Sequence, residues 1–204
     1  MSSLGDKCHR RLWLQYHKGF REVFPARMLR LFGMGCIIEK IVVHDLRAAG
    51  FRVTGRQKTF KAFKGKLRGH CDGIIECLPE SNKPHILEIK SASDKSFREF
   101  QTKGLSGHSY ADKYVAQLHL YMGYAGLDRA LFIVENKNDQ SRYMERVRFD
   151  KEQFVELQAK ADAIFTATAP PKGISDRTDW YECKFCFLNN GDACRKKWDG
   201  EAAF

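Results

Sequence analysis

The sequence predicts one mixed α/β domain that carries a short cysteine-bearing tail. Three observations lead there. The chain has 204 residues, and a domain takes roughly 100–200. Its apolar pattern switches between helical and strand spacing. One Pro-Pro-Lys-Gly break, at residues 170–173, separates a main body from the last stretch. That stretch, 171–204, is too short to enclose a core, so it is expected to dock back or to be stapled by metal.

The elements follow in chain order. Residues 26–50 place Met28, Leu29, Phe32, Cys36, Ile37, Ile41 and Leu46 at helical spacing, and Gly50 ends that helix. Residues 51–60 and 66–77 read as two strands joined by a Lys-Gly turn, and residues 85–91 as a third. Residues 112–125 put Val115, Leu118, Tyr121, Met122 and Ala125 on related helix faces. Residues 131–135 and 143–149 form two further strands around the polar turn Asn136-Lys137-Asn138-Asp139. Residues 150–168 form an amphipathic helix opened by Asp150 as N-cap. The expected order is helix, three strands, helix, two strands, helix, without internal repeats or low-complexity segments.

Charge narrows the partners. The chain holds 35 Lys and Arg against 25 Asp and Glu, a formal net charge of +10. Such a balance fits a polyanion partner, most often nucleic acid. Arg52, Arg56, Lys58, Lys61, Lys64, Lys66 and Arg68 follow one another with no acidic residue between them. They read either as a solvated hairpin face or as a phosphate-tracking surface. Lys7, Arg10, Arg11, Lys18, Arg21, Arg27 and Arg30 form a second cluster. No apolar run reaches the ~18 residues of a membrane span. The first residues lack the apolar centre of a signal peptide, so a cytoplasmic location is expected.

The third strand reads His85-Ile86-Leu87-Glu88-Ile89-Lys90. Side chains alternate along a strand, so Glu88 and Lys90 share one face, and Leu87 and Ile89 point into core on the other. A plain salt bridge accounts for that pair taken alone. Asp72, however, lies among small and apolar residues in Gly69-His70-Cys71-Asp72-Gly73-Ile74-Ile75, where an unpaired carboxylate is costly. If the two strands pair, Asp72 and Glu88 approach, and a hard divalent cation, Mg²⁺ or Mn²⁺, would relieve their repulsion. Glu39, on the first helix, offers a third carboxylate. Its alternative is a surface role beside Lys40 or His44.

Seven cysteines are many for a chain expected in a reducing compartment, and the odd number opposes a disulfide framework. Cys183-Lys184-Phe185-Cys186 is a C-x2-C pair, with Cys194 nearby and Cys8 near the other terminus. Cys36, Cys71 and Cys77 sit in apolar segments and are expected to be inert core residues. Trp13, Tyr16, Phe20, Phe24, Trp180, Tyr181 and Trp198 lie among cations near both termini, suited to packing and, in part, to stacking on bases.

Asp72, fifteen intervening residues and then Glu88-Ile89-Lys90 resemble the PD-(D/E)XK nuclease signature. Gln117-Leu118-His119-Leu120-Tyr121 matches the Q-x-x-x-Y motif of the RecB-like branch, with Gln117 and Tyr121 on one helix face. Gly35-x-x-x-Glu39 looks like that branch's first motif, where many members carry His. The segment 90–97, leading to Tyr114 and Gln117, is similar to phage and bacterial members. Cys71 stands where the usual Pro would precede the Asp. One Cys before the core, a C-x2-C after it and a further Cys resemble the iron–sulfur nucleases of the Cas4 and AddB type. The seven residues between Cys186 and Cys194 exceed that pattern's spacing.

The resemblance spans roughly residues 8–194 and implies a restriction-endonuclease-like core, a central mixed sheet flanked by helices, over about 26–168. It implies that Asp72, Glu88, the Ile89 carbonyl and Glu39 hold Mg²⁺ or Mn²⁺, that Lys90 orients or activates water, and that Gln117 and Tyr121 position Lys90 or a phosphate. It also implies a 4Fe–4S cluster on Cys8, Cys183, Cys186 and Cys194, contributed by segments at about 1–20 and 171–204. Zn²⁺ on the same thiolates and four unligated thiols stay open. The implied activity is metal-dependent hydrolysis of DNA, by an exonuclease of recombination, repair or phage DNA processing in a bacterial or phage-infected cell. The implied substrate is DNA with single-stranded character or free ends. A non-catalytic DNA-binding module on the same fold and a zinc-stapled interaction protein are the alternatives.

Overall fold

A computed structural model describes residues 1–79, 81–189, 193–196 and 198. The remainder of the 171–204 tail lies outside the described residues. The elements run α1 (His9–His17), α2 (Ala26–Ala48), β1 (Arg52–Thr54), β2 (Lys58–Ala62), β3 (Leu67–Cys71), β4 (Gly73–Glu76) and β5 (His85–Ala92). Then come α3 (Asp94–Lys103), α4 (Ala111–Ala125), β6 (Arg129–Asn136), β7 (Arg142–Arg148), α5 (Lys151–Thr166) and α6 (Tyr181–Lys184).

Five strands form one mixed sheet in the order β1-β4-β5-β6-β7, and β2 pairs with β3 in a separate ribbon. Only β5 and β6 run parallel; the other pairs are antiparallel. The crossover between the parallel pair carries α3 and α4, as a parallel connection requires. The sheet therefore has helices on both faces, the mixed α/β core expected from the sequence. No helix of the described residues is long and apolar enough to cross a membrane.

Each of the two long strands expected at 51–60 and 66–77 is broken in two. Gly55 and Gln57 take positive φ, 54° and 53°, and end β1. Asp72 separates β3 from β4. At each break the chain passes between the large sheet and the small ribbon. Asp72 thus sits at a pivot rather than within a strand.

α2 covers one sheet face. Its Ile38, Val42, Val43 and Leu46 pack with Val53, Ile75, Leu87, Ile89, Leu131 and Ile133. All four lie in the second half of the helix. Leu29, Phe32, Ile37 and Ile41, expected on the buried stripe, are instead about half exposed. Cys36 and Cys77 are also exposed, against the expectation of inert core thiols, and only Cys71 of that trio is buried.

The opposite face holds the larger cluster. Leu12, Trp13 and Leu14 of α1, Phe97 and Phe100 of α3, Leu118, Leu120 and Met122 of α4, and Ile164 of α5 meet Ile86, Phe132 and Val134 there. Each such burial contributes about 1.5–3 kcal/mol. α1 and α3 were not expected. α1 has its apolar residues in an unbroken run, and α3 offers little beyond Phe97 and Phe100 on a polar helix. Asp150 caps α5 as expected, accepting from the N–H groups of Glu152 and Gln153.

The tail docks onto this same cluster through Leu188, which is buried, with Cys186, Phe187, Cys194 and Trp198 packed alongside. Arg10, itself buried, donates to the carbonyls of Cys194 (2.5 Å), Pro171 (3.3 Å) and Lys196 (3.2 Å).

Candidate functional site

The candidate active site forms where β4, β5, α2 and the β1–β2 turn meet. Antiparallel pairing of β4 with β5 sets Gly73 opposite Leu87, which brings Asp72 to the middle of β5. Asp72 Oδ2 accepts from the Ile89 N–H at 2.7 Å. The Asp72 N–H in turn donates to the Leu87 carbonyl at 3.1 Å. Burial raises the Asp72 carboxyl above its ordinary range, although Lys90 and the Ile89 N–H pull the other way.

Glu88 is 2% exposed. Burial, with Asp72 and Glu39 adding repulsion, pushes its carboxyl up to about 7 against the pull of Lys90. Burial also works against the Lys90 ammonium, but Glu88 and Asp72 outweigh it and hold Lys90 above its ordinary value. The two groups form an ion pair through Glu88 Oε1. Glu88 Oε2 is buried with no hydrogen-bond partner among the described residues. An unsatisfied buried acceptor costs about 1–3 kcal/mol, and more when charged.

Glu39 reaches the same place from α2. Its Oε1 accepts from Arg56 Nη2 at 2.7 Å and from Gln57 Nε2 at 2.9 Å. Gln57 Nε2 also lies 3.3 Å from Asp72 Oδ1. Glu39 therefore has partners across space rather than the neighbours Lys40 and His44 on its own helix. Gln57 was not singled out from the sequence. It is a polar residue in a turn, and its place between two carboxylates exists only once β1 and β2 diverge into different sheets.

Gln117 and Tyr121 are buried on one turn of α4. Gln117 Nε2 donates to the Tyr121 hydroxyl at 3.0 Å, and the Tyr121 ring stacks on Phe60 at 5.3 Å. Burial, followed by the negative charge of Glu88, holds the Tyr121 hydroxyl well above its ordinary value. The Lys90 ammonium lies 5.7 Å from the Tyr114 ring.

The residues implied to hold Mg²⁺ or Mn²⁺ have the right chemistry for it. Three carboxylates supply hard oxygen donors, and the buried, unpartnered Glu88 Oε2 is an acceptor in want of a cation. With Glu39 bound to Arg56 and Gln57, and Glu88 to Lys90, no three His, Cys, Asp or Glu side chains among the described residues stand at metal-holding spacing.

The four cysteines named for a cluster line one cavity of about 380 Å³, together with Arg10, Arg11 and Glu182. Cys8 comes from the N-cap of α1, where its sulfur accepts from the Arg11 N–H at 3.4 Å. Burial raises the thiols of Cys183 and Cys194 above their ordinary value, and their closeness to the other cysteines of the group adds to it. The chemistry of an all-sulfur donor set suits either an iron–sulfur cluster or zinc, although among the described residues no three of these thiols stand at metal-holding spacing.

The cations expected to bind nucleic acid cluster on the small ribbon and its flanks. Lys58, Lys61, Lys64, Lys66 and Arg68 are exposed. Arg52 pairs with Glu76, and Arg56 is taken up by Glu39. The second basic cluster is largely engaged within the chain. Arg10 holds the tail, Arg11 pairs with Asp6, Lys7 with Asp112, and Lys18 lies 4.8 Å from the Trp198 ring.

No protein-family model matches the sequence, and no curated protein matches it. Solved structures do share the fold. An alkaline exonuclease from Laribacter hongkongensis, LHK-Exo, aligns at 17% identity with a TM-score of 0.56, over 80% of this chain and 84% of that one. The same enzyme in complex with dAMP aligns at 18% identity, with a TM-score of 0.51, over 77% and 75% of the two chains. A phage-related exonuclease from Haemophilus somnus aligns at 13% identity, with a TM-score of 0.55, over 76% and 77%. The chain therefore has the fold of these exonucleases.

Proposed function

We propose that the protein is a metal-dependent nuclease that hydrolyses DNA phosphodiester bonds, acting as an exonuclease on DNA with free ends or single-stranded character. The observation that carries this reading is the ion pair of the buried Glu88 with the half-buried Lys90 beside Asp72, with one Glu88 oxygen left unpartnered among the described residues. A merely structural salt bridge would have no use for that third charge or that open oxygen. The likeness of the fold to two exonucleases, one bound to dAMP, supports the same reading. A cytoplasmic role in recombination, repair or phage DNA processing belongs to this proposal.

Asp72, Glu88, Glu39 and the Ile89 carbonyl would hold Mg²⁺ or Mn²⁺. The chemistry supplied by such an ion is polarisation of the phosphate and acidification of water. Lys90, kept protonated by Glu88 and Asp72, serves as a donor that orients water and offsets charge developing on the phosphate. The Ile89 N–H fixes the Asp72 carboxylate. Gln117 and Tyr121, bonded to each other on α4 with Tyr121 stacked on Phe60, would position Lys90 or a phosphate near the scissile bond. Cys8, Cys183, Cys186 and Cys194 would hold a 4Fe–4S cluster, or Zn²⁺, away from the reacting atoms and join the two ends of the domain.

The test is incubation of the purified chain with end-labelled linear DNA and closed circular DNA, with Mg²⁺ or Mn²⁺ and with EDTA. Loss of the labelled end from linear DNA with circular DNA left intact is expected. DNA binding without metal-dependent cleavage would leave the non-catalytic binding module as the better reading.

A further inference from the structure

The β1–β2 turn sits on the candidate site. It joins the large sheet to the ribbon and carries Arg56 and Gln57. Gln57 holds φ at 53°, a region that side chains other than Gly, Asn and Asp seldom adopt. That conformation delivers its amide to Glu39 and Asp72. Both partners are carboxylate oxygens, so the amide nitrogen, as the donor, must face them. Beside it, Arg56 Nη2 is bound to Glu39 Oε1. Arg56 Nε is buried with no hydrogen-bond partner among the described residues.

Three carboxyl groups, those of Glu39, Asp72 and Glu88, share the site with two cations, Arg56 and Lys90. Arg56 thus fills, on Glu39, the place of a cation. A divalent ion that took Glu39 as a ligand would repel the guanidinium at that distance. The guanidinium would then be released beside the site with its planar fork open, the geometry that matches a phosphate.

We propose that Arg56 exchanges partners. It neutralises Glu39 when no divalent ion is bound, and on metal binding it transfers to a backbone phosphate of the DNA strand next to the scissile bond. Gln57 keeps Glu39 and Asp72 aligned during the exchange. This rests on the metal-dependent reading above and deepens it, because it makes metal and DNA binding mutually reinforcing through one residue. Coupling between two ligands of this kind is typically about 5–150-fold.

The test uses the full chain with two probes read apart from turnover: Mn²⁺ binding without DNA, and DNA binding with and without Ca²⁺. In the wild type, Ca²⁺ is expected to tighten DNA binding by about 5-fold or more. Arg56→Ala is expected to bind Mn²⁺ more tightly than wild type, since a competing cation is gone, yet to lose most of the Ca²⁺-dependent gain in DNA affinity. Arg56→Lys keeps the charge without the fork, so it should bind Mn²⁺ like wild type and still lose most of that gain. If Arg56→Ala binds Mn²⁺ no better than wild type, or keeps the full Ca²⁺-dependent gain, the exchange is wrong. Asp72→Asn separates the two failures. If it abolishes Mn²⁺ binding while Arg56→Ala behaves as wild type, only the exchange falls. If it leaves Mn²⁺ binding intact, the metal-site reading itself falls.

Discussion

Lys90 and Glu88 show how burial turns a common residue pair into a poised one. A surface Lys–Glu pair two residues apart on a strand contributes little. Here the carboxylate is 2% exposed and its second oxygen lacks a partner. Replacing Lys90 leaves a buried charge uncompensated, which is destabilising, so the substitution should keep side-chain volume. Lys90→Gln is expected to reduce single-turnover cleavage by about 10²–10³-fold, the range found on removing one donor to a developing charge. DNA affinity should stay within about threefold, and the loss in melting temperature should be smaller when Mn²⁺ is present. Quench-flow cleavage and thermal melts read the two effects separately, and unchanged turnover would refute the catalytic role. Gly69 is a second position where one atom decides. A Cβ there would lie 2.8 Å from the Tyr121 hydroxyl and 3.1 Å from Met1 Cγ. Gly69→Ala should cost about 1–3 kcal/mol through overpacking and disturb the Gln117–Tyr121 bond; a denaturant melt with the wild-type midpoint would show that the ribbon can yield.

Among the elements, the β2–β3 ribbon and the α4–α5 joint make separate claims. The ribbon's lysines have few acidic neighbours and stand exposed. Changing Lys58, Lys61, Lys64 and Lys66 to Gln should weaken DNA binding and flatten its salt dependence, each lost phosphate contact removing about 0.9 from the log–log slope on duplex DNA. An unchanged slope would make the ribbon a solvated face only. At the joint, His119 is buried and its Nδ1 accepts from the Asp150 N–H at 3.2 Å, at the start of α5. Burial lowers its pKa below the ordinary 6.5. The neutral ring is favoured by folding, so its contribution is complete above about pH 6.5 and is lost as pH falls through the lower folded value. His119→Asn, which offers an acceptor that does not titrate, should flatten the acid side of a melting-temperature profile relative to wild type. Equal acid slopes in both proteins would place the pH dependence elsewhere.

At the scale of the whole molecule, the N-terminal segment and the tail close around the core through two adjoining features, Arg10 and the cysteine cavity that it helps to line. Arg10 donates to three tail carbonyls, and the cysteine cavity joins Cys8 to residues more than 170 positions away. A structural metal supplies free energy of order 10 kcal/mol, a large addition for a tail in which Leu188 alone is fully buried among the described residues. Anaerobically purified protein should be yellow-brown with about four irons per chain if the site holds a cluster, and colourless with one zinc if it does not. Cys183→Ser should bleach the protein or release the zinc, and should increase proteolysis of both ends, while Mn²⁺ binding at the carboxylates persists. An unchanged metal content and digestion pattern would leave the four cysteines as ordinary thiols.

The class of the fold was legible in the chain's apolar spacing, which reports which face of each helix or strand is buried. The sequence also singled out Asp72, Glu88 and Lys90, since a carboxylate among small and apolar residues is too costly to be incidental. The four cysteines that share a cavity were legible in their spacing and in the resemblance to known nucleases. Other features depend on where the chain turns in space. Nothing local marks Asp72 as a pivot between two sheets, or brings Gln57 and Arg56 to Glu39. Cys36, Ile37 and Ile41 look like core on a helical wheel, yet the sheet lies only under the second half of α2, so tertiary packing leaves them exposed. Arg10 reads as one more surface cation until the tail folds back and surrounds it with carbonyls. Periodicity records burial along one element. Which elements meet, and which charges they force together, is set by loop reversals and sheet pairing that no single segment encodes.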